Sequence, residues 1–508
     1  MAARAILLAG LLIAAAPAGA TDTKPLSAID WLTEMARQGA QIIDEPEIAP
    51  SVAVPDVAVT ALEGTTPKRV GLIAPDVTGF PADLWANSDG TALATAISRL
   101  GTVRLPAAQA LMYTLLLGEA DPPRAGADAF DLARVDALIK NGAIEPALAL
   151  LDQAGADRSP DHFARYADLT LFTGASDNAC RIAQAQPRLS DDLVLRVFCL
   201  ARAGDWNTAA LVLGSAEAIG SITPTDGAAL AQFLDAELFE GEVQSQSAAR
   251  MTPLRFRIYE ATGHRPSTSP LPRAYAHADL DGNAGWKAQI VAAERLARAG
   301  AVSENQLIGV YSDRKPAASG GVWDRVRAVQ ALDLAITSGD VAKVSAALPP
   351  AWEIMRGSDL GVPFAALFAE KLPARGLSGT SGDITYQMLL LSPDYETAAR
   401  LLPDLARAEP VLNGIASGET KALRGANLAE ATLVDVFANR IAPDPELIGL
   451  ARDGALGLAI LKALTHLKDG ISGDVTRLGQ SLATLRALGL EDMARRAALQ
   501  ILILGRAS

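Results

Sequence analysis

The chain has 508 residues, a formal net charge of −13, 50% hydrophobic residues and only 5% aromatics. That apolar content excludes a disordered chain, and the acidic balance argues against nucleic acid or anionic lipid as a partner, because both are bound through Lys and Arg. Alanine and leucine recur in almost every stretch, and both are strong helix formers. The expected fold class is all-α.

The first twenty residues read as a signal peptide. Arg4 gives a short basic start, residues 5–16 form an apolar run, and Ala18-Gly19-Ala20 has the small-x-small form of a cleavage site. The run is shorter than the roughly 20 residues that span a bilayer. The expectation is an exported, periplasmic protein cleaved after Ala20, with no transmembrane segment in the mature chain; the alternative is an uncleaved anchor. Residues 21–43 then hold one amphipathic helix, with Ile29, Leu32, Met35 and Ala36 on a face. From 44 to 80 prolines recur between Val and Ile residues, which forbids helix interiors and favours extended backbone. This is an extended arm, expected to lie as a strap along the helical body in its second half.

Helices are predicted at 91–100 and 106–118, and the helical-repeat region extends over 81–240. Its clearest unit is 197–213, VFCLARAGDWNTAALVL, where Gly204-Asp205 separates two apolar stripes. Glycine suits the left-handed end of the first helix, and aspartate can cap the second. The same pattern stands at 135–151 around Gly142 and at 332–348 around Gly339-Asp340, with weaker copies at 292–308 and 456–485. An irregular insertion, 241–285, and a second helical-repeat region, 286–508, complete the chain. The final helix, 490–504, ends in an apolar ILIL that must be buried.

Cys180 and Cys199 are the two cysteines. The first lies seven residues before the turn at Pro187 and the second eight after Asp191, so they stand at similar heights on an antiparallel helical hairpin. In an oxidising compartment this predicts a disulfide; two free thiols or a redox pair are the alternatives. The bridge would make this hairpin the stapled centre of the array.

No catalytic constellation stands out. The four histidines, at 162, 264, 277 and 466, lack metal-ligand spacing, and His264 and His277 flank a Pro/Ser loop as expected solvent-exposed residues. Asp279-Leu-Asp281 begins like a calcium loop, but Ala284 and Ile290 stand where glycine and glutamate are required. Ser312 and Lys315 fit S-x-x-K without its companion motifs. No catalytic residue, metal ligand or cofactor site is assigned. The residues expected to touch a partner are the aromatics beside loops, Trp85, Trp286 and Trp323.

The repeated helix–Gly–helix pattern resembles tetratricopeptide-like α-solenoids, although the Trp-Leu-Gly-Tyr signature of that repeat is absent and the spacing is irregular. The segments TGFPADLW (78–85), ACRIAQ…FCLARAGD and AAERLARAGA (292–301) are also similar to uncharacterised Ala-rich exported proteins of Gram-negative bacteria. The resemblance implies an irregular α-solenoid of stacked helical hairpins, acting as an adaptor or scaffold for another envelope protein. The alternative is a glycan-acting enzyme or enzyme remnant, like the helical domain of a lytic transglycosylase without its catalytic part. A holder of unfolded envelope clients is a third possibility.

Overall fold

The computed structural model describes residues 69–237, 247–281, 283–372 and 376–505, without the side chains of 401 and 403–405. The expected signal peptide, the N-terminal helix and most of the arm lie outside them. Among the described residues the fold is all-α, with twenty-six α-helices and no strand. None of these helices is long and apolar enough to cross a membrane.

The turn code seen in the sequence builds the hairpins. Leu193–Arg202 and Trp206–Ala218 are joined at Gly204, whose φ is +81°, and the Asp205 side chain accepts from the Thr208 amide. The same arrangement joins Val322–Ser338 to Val341–Arg356, where Gly339 has φ +69° and Asp340 caps the second helix. Ala127–Asn141 and Ile144–Ala154 turn at Gly142 with φ +87°. The pairs around 300 and 473 form as expected. Helices adjacent in sequence pack against one another, and most of their buried apolar side chains belong to one large core, with a small second cluster at Ala276, Ala292 and Leu296.

Of the arm expected to be extended from 44 to 80, only residues from 69 on are described. Residues 70–73 lie along the helical body, but Pro75–Thr78 form a short helix with proline at its first position, where extended backbone was expected. Leu72 and Ile73 donate backbone hydrogen bonds to the Leu117 carbonyl at 2.7 and 3.1 Å, and Glu119 donates to Ile73 at 2.8 Å. Arg134 locks the strap from below. Its guanidinium, buried in the core, donates to the carbonyls of Leu116 (2.7 Å), Val70 (2.9 Å) and Gly118 (3.3 Å). Burial lowers its pKa to about 10, with Asp131 at 3.6 Å acting in the opposite direction.

The array does not run open from end to end. Gly90–Leu100 packs against Leu456–Ile471, and Pro106–Leu117 packs against the final helix, Glu491–Leu504. Buried Gln500 accepts from the Ala107 amide at 2.8 Å, and the Gly457 amide donates to the Leu84 carbonyl at 3.3 Å. Pro106–Leu117 also meets the turn after Trp286–Ala297: Gln109 donates to Arg298 O at 2.9 Å and Tyr113 to Ala299 O at 2.8 Å. Ile501 and Ile503 of the terminal ILIL are buried, as expected.

Cys180 and Cys199 are bonded, with Cα atoms 5.1 Å apart, as the spacing predicted. Yet in Trp206–Ala218 only Ala209, Leu213 and Ala216 are buried. Trp206–Ala218 is thus the less buried partner of the cysteine-bearing helix Leu193–Arg202, in which Leu195, Val197, Phe198, Cys199 and Ala201 are buried. Pro106–Leu117 meets both the final helix and the turn after Trp286–Ala297.

Candidate functional site

Of the three tryptophans expected at a contact surface, two come together. Trp286 opens the helix Trp286–Ala297, and Trp323 lies in the first turn of Val322–Ser338. Their ring centroids are 5.1 Å apart and tilted by 49°. Both residues line a surface cavity of about 780 Å³, together with the loop 265–269 and with Asn283 and Lys287.

The loop is held from beneath. Asp279 accepts from Thr268 Oγ1 and pairs with Arg265 at 3.1 Å, while Arg265 also donates to the Ala278 carbonyl at 2.7 Å. Arg295 reaches the loop from the neighbouring helix, donating to Thr268 O at 3.0 Å and also to Leu271 O. A Pro/Ser-rich stretch with little helical tendency is thus fixed through its carbonyls, which an unstructured loop would leave to water. Asp279, set against the calcium-loop expectation, is buried in the short helix Ala276–Leu280 and bonded to protein groups.

The tryptophan pair rests on an equally fixed base. Trp286 Nε1 donates to Val310 O at 2.8 Å. Behind the rings the buried Glu294 carboxylate accepts from Arg325 at 2.6 and 2.7 Å, from Arg298 at 3.0 Å and from the Tyr311 hydroxyl at 2.8 Å. Burial raises the Tyr311 pKa, and the Glu294 charge raises it further, so the phenol remains a donor. One carboxylate thus ties its own helix, Trp286–Ala297, to Glu304–Ser312 and to Val322–Ser338, which helps to hold the angle at which Trp286 and Trp323 meet. A cavity with two aromatic faces, hydroxyl and amide groups on its rim and a rigid floor suits a ligand with an apolar face and polar edges.

The expectation of exposed aromatics is corrected at two positions. Trp85 is 2% exposed: it packs on Phe130 at 5.0 Å between centroids, and a Cβ on Gly457 would fall 2.2 Å from its ring. It closes the array and is not a contact residue. Trp286 is 9% exposed, and only Trp323 is half-buried. Among the described residues the tryptophan that faces solvent most is Trp206, 50% exposed. Its signal was present in the sequence, because the position four residues on, Ala210, offers no large apolar partner along the helix.

His277 is also corrected. It is half-buried, and its Nε2 lies 2.6 Å from the Gly142 carbonyl, tying the insertion to the turn of the first hairpin. His264 is exposed, as expected. Buried His162 faces the capping Ser159 Oγ at 2.8 Å. Among the described residues no three His, Cys, Asp or Glu side chains gather as a metal site. Compared with known proteins, the chain matches no family model, no curated protein and no solved structure.

Proposed function

We propose that this protein is an exported, periplasmic adaptor that binds another envelope protein through the cavity walled by Trp286 and Trp323. The observation that carries the reading is the tryptophan pair itself, tilted over the Glu294 network, with half-buried Trp323 the more accessible ring. Both residues line a cavity that also holds Ser267, Ser269, Asn283 and Lys287. Preorganised aromatic anchors lose little entropy on binding and dominate the energetics of protein contacts. Export is supported by the signal-peptide pattern of the first twenty residues and by the Cys180–Cys199 disulfide. The occupant is a short segment of the partner that presents an apolar side chain to the rings and backbone groups to the rim.

A photoreactive phenylalanine analogue placed at position 323, followed by irradiation of intact cells, tests this. A recurring crosslinked envelope protein that disappears when Trp286→Ala is added is the expected outcome. No adduct from cells making folded, disulfide-bonded protein would sink the reading. The second reading, a glycan-acting protein, draws on the same cavity, because a sugar ring also stacks on tryptophan. Co-sedimentation with isolated peptidoglycan that depends on Trp323, with no crosslinked protein, would favour it.

A further inference from the structure

We infer that the seam between the two ends of the array holds a small phosphate-class oxyanion, at the turn formed by residues 101–104. The turn begins at Gly101, whose φ of +62° and ψ of −132° exclude ordinary side chains. The space its missing side chain leaves is faced by two ammonium groups. Lys140 Nζ lies 3.7 Å and Lys468 Nζ 4.0 Å from where a Cβ would stand. Two ammonium groups so placed lie within about 8 Å of each other, and an anion held between them would offset their mutual repulsion.

A further cation, Arg104, belongs to the same turn. Arg104 and Lys468 line a cavity of about 380 Å³ together with Thr102 and Ser472, which offer hydroxyls. Arg273 lies within electrostatic reach of Arg104 and of Arg295, and burial lowers its pKa. Its Nη1 is buried and has no hydrogen-bond partner. Among the described residues no carboxylate pairs with Lys140, Lys468 or Arg273, and the acid next in sequence, Asp469, is engaged by Arg477 at 3.4 Å. Lys468 does donate to the carbonyls of Arg99 and Leu100, both at 2.9 Å, which fixes its position as a cap on Gly90–Leu100. That role leaves its charge without a counter-ion.

This concentration of cations is out of keeping with a chain of net charge −13. Phosphate-class anions match it because they accept several charge-assisted hydrogen bonds from ammonium, guanidinium and hydroxyl donors at once. The acidic body as a whole disfavours a membrane surface, so the source assigned is a free anion and not a lipid headgroup. The site lies where Gly90–Leu100, Ala127–Asn141 and Leu456–Ile471 meet, so the anion would bridge segments from the two ends of the chain.

The full-length protein titrated with inorganic phosphate at low salt, followed by calorimetry, tests the inference. Saturable binding is expected, weakened about tenfold by Lys140→Gln as one charge-assisted contact is lost and unchanged by Lys343→Gln. Lys140 is exposed, so its replacement leaves the fold intact. Absence of saturable binding, or equal loss in both variants, overturns the site. Flotation with phosphatidylglycerol vesicles separates the sources. No vesicle binding supports the free anion, whereas vesicle binding lost in Lys140→Gln and competed by phosphate would overturn that assignment in favour of the headgroup.

Discussion

Cys180 and Cys199, separated by 19 in sequence, link two helices of a hairpin, and the bond stabilises it chiefly by restricting the unfolded chain. Replacing both by serine should lower stability by about 3 kcal/mol, read as a shift of the denaturation midpoint that reductant reproduces in the native protein. A double variant as stable as the parent would show that neighbouring helices hold the hairpin unaided. Two titrating side chains give stability opposite dependences on pH. Asp168 is raised to about 6, chiefly by burial and further by the Asp192 charge, with Arg165 offsetting part. Its folded form keeps a proton that the unfolded form has lost, so stability falls as pH rises from about 4 to about 6. Asp168→Asn should therefore be more stable than the parent at pH 7 and no different near pH 4. His277 is lowered, mainly by burial, so the unfolded chain takes up a proton first and stability falls as pH drops below about 6.5. His277→Gln should flatten that limb of the pH profile, and an unchanged slope would count against the burial of the ring.

Hairpins that look alike in sequence are unequal in their surroundings. Gly142 and Gly204 both have positive φ, +87° and +81°, and both end the first helix of a pair. A Cβ on Gly204 meets nothing within 4 Å, whereas one on Gly142 would lie 2.8 Å from Leu296 Cδ2 and 3.1 Å from the Arg273 side chain. Gly204→Ala should cost about 1 kcal/mol of backbone strain; Gly142→Ala should cost a further 1–3 kcal/mol, about the usual penalty of overpacking. Equal losses in thermal or chemical denaturation would contradict the close packing at residue 142. The hairpins were legible in the sequence because their code is local: an apolar stripe, a glycine that alone fits the left-handed turn, and an aspartate that caps the next helix. Burial of the loop aromatics was not legible. Trp85 follows a Gly-Phe-Pro turn that reads as surface, but it is covered by Gly457, which lies far away in sequence. The pairing of Trp286 with Trp323 was hidden for the same reason, since two hairpins have to stack before their first turns meet.

Over the whole molecule, closure replaces the independence of an open array. In an open solenoid each repeat touches only its neighbours, so damage at one end spares the other. Here Gln500 and Ala107 bond across 393 residues, and Lys468 caps a helix that ends at Leu100. Gln500→Leu removes the acceptor of a buried amide, so amide hydrogens of Pro106–Leu117 should exchange faster although the substitution lies in Glu491–Leu504. Faster exchange confined to Glu491–Leu504 would mean that the two ends do not support each other. None of this was legible in the sequence, because the closing contacts are single residues without a repeating signature.

Closure also bears on how such a chain can change over time. An open row of hairpins can gain or lose a member at little cost, and recent copies then remain similar. In this molecule an added or deleted hairpin would move Glu491–Leu504 out of register with Pro106–Leu117, so the number of units is locked. Each unit, held at a fixed place with its own neighbours, is free to diverge from its siblings. Irregular spacing and faded repeats, as in this sequence, are what such a lock would permit.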